Sequence, residues 1–196
     1  KGALAELAYE NYSGTFLFTR IQEETRDEDG ELTADGDPAR YAFAGEGKVA
    51  LLDNLNLGVA YVRVWDDYLS NVIAEEEIRP NVDQIISLSG DYAFAEGWEV
   101  DGEYARWSRT DGVLNVTHLS AARLNLSGPV GPAKLEGEYV RVEKGYNGFE
   151  FIKPWDGDKK EGLKHNVKTV GVSAEVEAVE NLTLTGGYKV TGNAGK

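Results

Sequence analysis

The sequence contains no cysteine and no methionine. Disulfides and thiolate metal sites are therefore excluded. A chain without methionine carries no initiator residue, so we read it as a processed product or an excised piece. Behind Lys1 there is no apolar stretch of the kind a secretory leader needs. Long apolar runs are also missing. Segments such as Val49 to Leu52 are the longest, far short of the roughly 20 residues of a membrane-spanning helix. That absence leaves strand-built membrane proteins open, because a closed barrel also satisfies every backbone group in lipid. Basic charge is scarce. Against 34 Asp and Glu stand 20 Lys and Arg, for a formal charge of −14. A face of that sign repels phosphate backbones, so nucleic acid is not an expected partner.

What the chain does have is glycine, at 23 residues, and tyrosine, at 10, which suit strands and turns better than helices. Apolar residues recur with period two almost throughout. Strands are expected near 3–10, 13–22, 40–52, 55–66, 83–95, 98–108, 112–126, 132–143, 165–178 and 181–192, or nine strands if 3–22 runs without a turn. Only 66–78 suits a short helix. Short turns are expected at 10–12, 53–54, 95–97, 128–131 and 179–180. Long polar loops fall at 23–39, 67–82 and 144–164, with a shorter one at 110–112. Short and long connections thus alternate, which places every short turn at one end of the sheet, as in transmembrane barrels. Greek-key sandwiches break that alternation.

The strands that leave short turns form an internal repeat. Segments 12–20, 55–63, 98–106, 133–141 and 182–190 carry an aromatic at the seventh position: Phe18, Tyr61, Tyr104, Tyr139 and Tyr188. Two residues on come Arg20, Arg63, Arg106 and Arg141; the fifth segment has Val190, with Lys189 beside it. One face of these strands is apolar, as in Leu55, Leu57 and Val59. The other is acidic, as in Glu99, Asp101 and Glu103. An aromatic six residues beyond the first apolar one lies roughly 15 Å deeper at a tilt of about 40°. That is the geometry of an interfacial girdle. The expected membrane-interface residues are therefore Tyr61, Arg63, Tyr104, Arg106, Tyr139, Arg141 and Tyr188, with each arginine in the headgroup layer, where it meets lipid phosphate. The alternative is a soluble β-barrel or β-sandwich binding module, with the same apolar face as its core.

At this point the chain resembles bacterial outer-membrane β-barrels of the porin class, from Ala3 to about Thr191. The repeated Tyr-containing strands and the acidity also look like the large S-layer-associated barrels of Thermus and Deinococcus relatives, although no anchor segment is present. Such barrels usually finish on a C-terminal aromatic, and this chain ends at Lys196. The resemblance implies an all-β, up-and-down antiparallel transmembrane barrel in the bacterial outer membrane. Its last strand runs toward the long-loop side, so the chain reads as one barrel domain, 1–196, forming an internal segment of about ten strands in a larger barrel.

If the apolar face meets lipid, the acidic face lines a lumen. The expected pore-lining residues are Glu46, Asp91, Glu99, Asp101, Glu103, Glu136, Glu138, Glu175 and Glu177, opposed by Lys48, Lys134 and Lys168. Such a wall favours cations. The first functional expectation is a passive, weakly cation-selective pore for small hydrophilic solutes or ions, set in a lipid bilayer, with a homo-oligomer open. The second is a structural envelope protein whose acidic loop 23–37 collects Ca²⁺; a solvated charge run is the simpler account of that loop. Catalysis is not expected. Histidine occurs only at 118 and 165, no Gly-x-Ser-x-Gly elbow occurs, and no cofactor motif is found. The sequons at Asn11, Asn115 and Asn181 are chance matches.

Overall fold

A computed structural model describes residues 2–23, 39–67, 81–110, 116–146, 166–179 and 182–194. These residues form one ten-stranded antiparallel sheet in chain order. Its strands are β1 (Gly2–Tyr9), β2 (Tyr12–Gln22), β3 (Arg40–Leu52), β4 (Leu55–Asp66), β5 (Val82–Ala95), β6 (Trp98–Thr110), β7 (Val116–Val130), β8 (Ala133–Val142), β9 (Val167–Val179) and β10 (Leu182–Gly192). Each pairs only with its sequence neighbours, so β1 and β10 are the edges of an unclosed sheet. Residues 24–38, 68–80, 111–115, 147–165 and 180–181, which hold most of the expected loops 23–39, 67–82 and 144–164, most of the helical candidate 66–78 and half of the turn 179–180, lie outside the described residues. Asp66 itself ends β4.

One boundary differs in kind. The turn expected at 128–131 is narrower, because β7 runs on through Pro129, which pairs with Lys134. The β6 ladder against β7 stops at Ser127. Pro129 therefore lies past the two-sided part of the sheet, where a strand can lack an N–H. Its ring rests over Gly97, whose φ of +74° turns β5 into β6. The short-turn rim is stitched between hairpins. Ala50 N donates to Asn11 O (2.8 Å) and Ala93 N to Asn54 O (2.9 Å).

The two faces differ in burial. Register partners share a face. On one face Ile85, Ala105, Ala121 and Val142 are almost fully buried, while on the other Ile86, Leu88, Tyr104 and Leu124 stay about half exposed. A single sheet with no second layer among its described residues buries one face only by curling over it. The first is the concave face and the second the convex face.

The register also fixes a tilt. The row of Phe18 runs through Phe43 to Arg63, two residues past Tyr61. Tyr61 leads through Ile86 to Arg106, two past Tyr104. Tyr104 leads through Ala122 to Arg141, two past Tyr139. Tyr139 leads through Val170 to Val190, two past Tyr188. The aromatic line is thus displaced by one residue per strand across the sheet. One residue of about 3.3 Å against a strand spacing of about 4.8 Å is an inclination of roughly 35°. That is the strand tilt of outer-membrane barrels. At that tilt Phe18, Tyr61, Tyr104, Tyr139 and Tyr188 stand at one height.

Candidate functional site

Heights measured from this aromatic level divide the concave face in two. Below it lies a charged wall. Every expected wall residue, Glu46, Asp91, Glu99, Asp101, Glu103, Glu136, Glu138, Glu175 and Glu177, is on this face and below the level of Tyr61. Period-two strands deliver them there, since each alternates with a convex apolar residue. Asp101 accepts from Asn125 Nδ2 at 2.9 Å and pairs with Arg123 at 3.5 Å. Two open hollows of about 540 and 470 Å³ adjoin at Asp101. The first runs past Asn56, Ser89 and Asp91; the second passes Glu136, Glu138 and Lys189.

Basic groups at this level are already engaged. Lys48 pairs with Glu46 (2.6 Å), Lys134 with Glu136 (2.7 Å) and Lys189 with Glu138 (2.6 Å). The last pair spans a whole strand. Glu138 and Lys189 both register with Gly171, and a Cβ there would stand 2.7 Å from the Glu138 carboxylate. The glycine leaves the carboxylate a path across β9. Asp91, Glu99, Glu175 and Glu177 make no ion pair among the described residues, so the wall keeps an acidic excess. Lys168 does not oppose it: its register partner is Arg141, which puts it on the convex face.

Above the aromatic level the concave face is apolar, which the sequence reading missed. Ile85, Ala105, Trp107, Ala121 and Val142 form a buried cluster, with Val62, Leu119 and Val140 packed against it. Tyr146 completes it from the segment after β8. A turn at Lys144 and Gly145 (φ +84°) carries Tyr146 inward, where its ring meets that of Trp107 edge-on at 6.4 Å. Burial raises the Tyr146 pKa above the ordinary phenol value, with Glu103 adding to the effect. Trp107 Nε1 donates to Asp83 Oδ1 at 3.1 Å. Higher still come the ion pairs Arg40–Asp66 (2.7 Å) and Arg109–Asp83 (4.0 Å).

The convex face carries both expected aromatic levels. Upper residues Phe18, Tyr41 and Trp65 stack at about 6 Å, and Arg63 lies 5.5 Å from the Trp65 ring. At the short-turn end Tyr9 stacks on Tyr12 at 5.2 Å, and Tyr92, Phe94 and Trp98 run in contact. Tyr61, Arg63, Tyr104, Arg106, Tyr139, Arg141 and Tyr188 all lie on this face.

No protein-family model matches the chain, and no curated protein matches it. Two solved structures do. A TodX mutant described as a monoaromatic hydrocarbon channel is 11% identical, over 98% of this chain and 67% of its own, with a TM-score of 0.38. The Pseudomonas putida toluene transporter TodX is 10% identical, over 97% and 67%, with a TM-score of 0.34. No site or substrate is carried over from likenesses this distant.

Proposed function

We propose that the chain forms the wall of a passive, weakly cation-selective diffusion pore in a bacterial outer membrane. The observation that carries the reading is charge segregation. Every Asp and Glu within the described strands lies on the concave face, and the convex face is apolar below the level of its arginines. In water that convex surface would be a broad exposed apolar patch of a kind soluble monomers rarely carry, with Leu88 58% and Tyr188 71% exposed. In lipid it is the expected surface, and the acidic excess then faces an aqueous path that attracts cations.

The test is conductance across a planar bilayer with a salt gradient. The expected result is a reversal potential of cation-selective sign. In a Glu99→Gln, Glu175→Gln, Glu177→Gln variant the potential moves toward zero. A protein that inserts and conducts with no cation preference would refute the selectivity but not the pore. One that inserts and conducts nothing would refute the pore.

A further inference from the structure

The convex face is not free of charge, and the charge it carries has one sign and one height. Within the described strands its ionised groups are Arg20, Arg63, Arg106, Arg141 and Lys168. No carboxylate shares that face in any strand, in a chain of net charge −14. Each arginine follows the aromatic of its repeat by two residues. The one-residue-per-strand displacement that levels the aromatics therefore levels the arginines too. Lys168 is the register partner of Arg141 and stands one step higher. Arg63 and Arg106 are exposed beside the aromatic layer. In so acidic a chain, chance scatter would not leave the apolar face with four arginines at one level and no carboxylate.

We infer that this ring binds the phosphate groups of anionic lipids in the leaflet at the long-loop end. The inference rests on the membrane reading above. Guanidinium is the group suited to it, since its planar fork meets a phosphate with two parallel hydrogen bonds and it is weakly hydrated. Aromatic rings flank it on the long-loop side: Arg20 lies 5.9 Å from the Tyr41 ring and Arg63 5.5 Å from that of Trp65. Neighbouring arginines are two strands apart, roughly 12 Å along the level line at the spacing and tilt above. One phosphate cannot bridge two of them, so the ring offers separate sites. At its β8 end Glu143 pairs with Arg141 at 3.1 Å and occupies part of that guanidinium. Lys168 adjoins there as a second cation.

The experiment uses the whole chain inserted in phosphatidylcholine vesicles, with spin-labelled lipids reporting which headgroups stay at the protein surface. Labelled phosphatidic acid is expected to be retained about fivefold over labelled phosphatidylcholine, the ratio set by about 1 kcal/mol per basic side chain near the surface. In the variant Arg63→Gln, Arg106→Gln, Arg141→Gln the ratio falls toward unity. Raising the ionic strength lowers it in the unmodified protein, a readout that holds even where the triple variant does not insert. An inserted protein with no preference, a preference that survives the three substitutions, or one indifferent to salt overturns the ring while leaving the pore reading intact. Failure of the unmodified protein to insert in any bilayer overturns both.

Discussion

Asp66 shows how much one buried carboxylate can hold. It is 5% exposed, accepts from Arg40 Nε at 2.7 Å and from the backbone N–H of Asn81 at 3.1 Å, and so ties the start of β3 and the approach to β5 to the end of β4. Removing it takes one acceptor from a partly exposed guanidinium and one from a backbone amide at once. Asp66→Ala should cost about 2–3 kcal/mol, read as a lower urea midpoint for unfolding from vesicles. Asp66→Asn, which keeps the shape and one acceptor, should cost less; equal losses would mean that the charge matters little. Gly171 makes the opposite case. Gly171→Ala puts a methyl in the path of Glu138, so the pair with Lys189 opens. An exposed pair of this kind is worth at most about 1 kcal/mol, and the Ala variant should unfold within that margin of the parent. A larger loss would show that the glycine serves the backbone and not the ion pair. Sequence alone ranked neither residue. Nothing local marks Asp66, because its partners Arg40 and Asn81 are far from it in sequence and meet it only in the folded sheet.

At the scale of elements, alternation did its work wherever one face was polar. Glu99, Asp101 and Glu103 against Trp98, Val100 and Gly102 left one assignment open, and β3 and β4 run over the expected residues, 40–52 and 55–66. Alternation fails where both faces are apolar. In the upper halves of β4 and β5, Val62, Val64 and Ile85 on one face stand beside Tyr61, Trp65 and Ile86 on the other, so the concave apolar cluster gave no periodic signal. Nor does any local pattern announce that Tyr146 turns inward. Its anchoring is non-local: Glu143 N donates to Ser120 O (3.1 Å) and Ser120 N to Glu143 Oε2 (2.8 Å), which fixes the segment against β7 before the Gly145 turn. If the cluster narrows the pore, Tyr146→Ala should raise single-channel conductance, and it should also cost about 3 kcal/mol as a buried aromatic truncation. Gly145→Ala should act in the same direction more weakly, since a positive φ costs a residue with a Cβ about 1–2 kcal/mol. Unchanged conductance in the Tyr146 variant would place the narrowest point elsewhere.

The whole sheet is bound by a condition that none of its parts reveals. Every convex feature, from the Tyr12 and Trp98 level to the arginine level, is level only if the strands lean by the roughly 35° that the register implies. The band between those levels, eight residues along a strand, is then about 20 Å tall, close to the roughly 25 Å apolar belt of outer-membrane barrels. Polarised infrared spectra of oriented bilayers should return that tilt; strands lying within a few degrees of the membrane normal would scatter the aromatics over different depths and undo the girdle. On the proposed membrane reading, a bilayer also forbids a raw edge. β1 and β10 have no outer partner in the described sheet, and each unpaired amide in lipid costs several kcal/mol. They run in opposite directions, as an even strand count requires, so antiparallel pairing between them is geometrically allowed, as is pairing with further strands. In either arrangement the amides of Leu4, Leu7, Leu184 and Tyr188 should exchange with solvent deuterium as slowly in vesicles as those of Ile86 and Tyr104 in the sheet centre. Fast exchange confined to β1 and β10, with the centre protected, would mean that the edges sit in water and that the sheet does not enclose a lumen in the membrane.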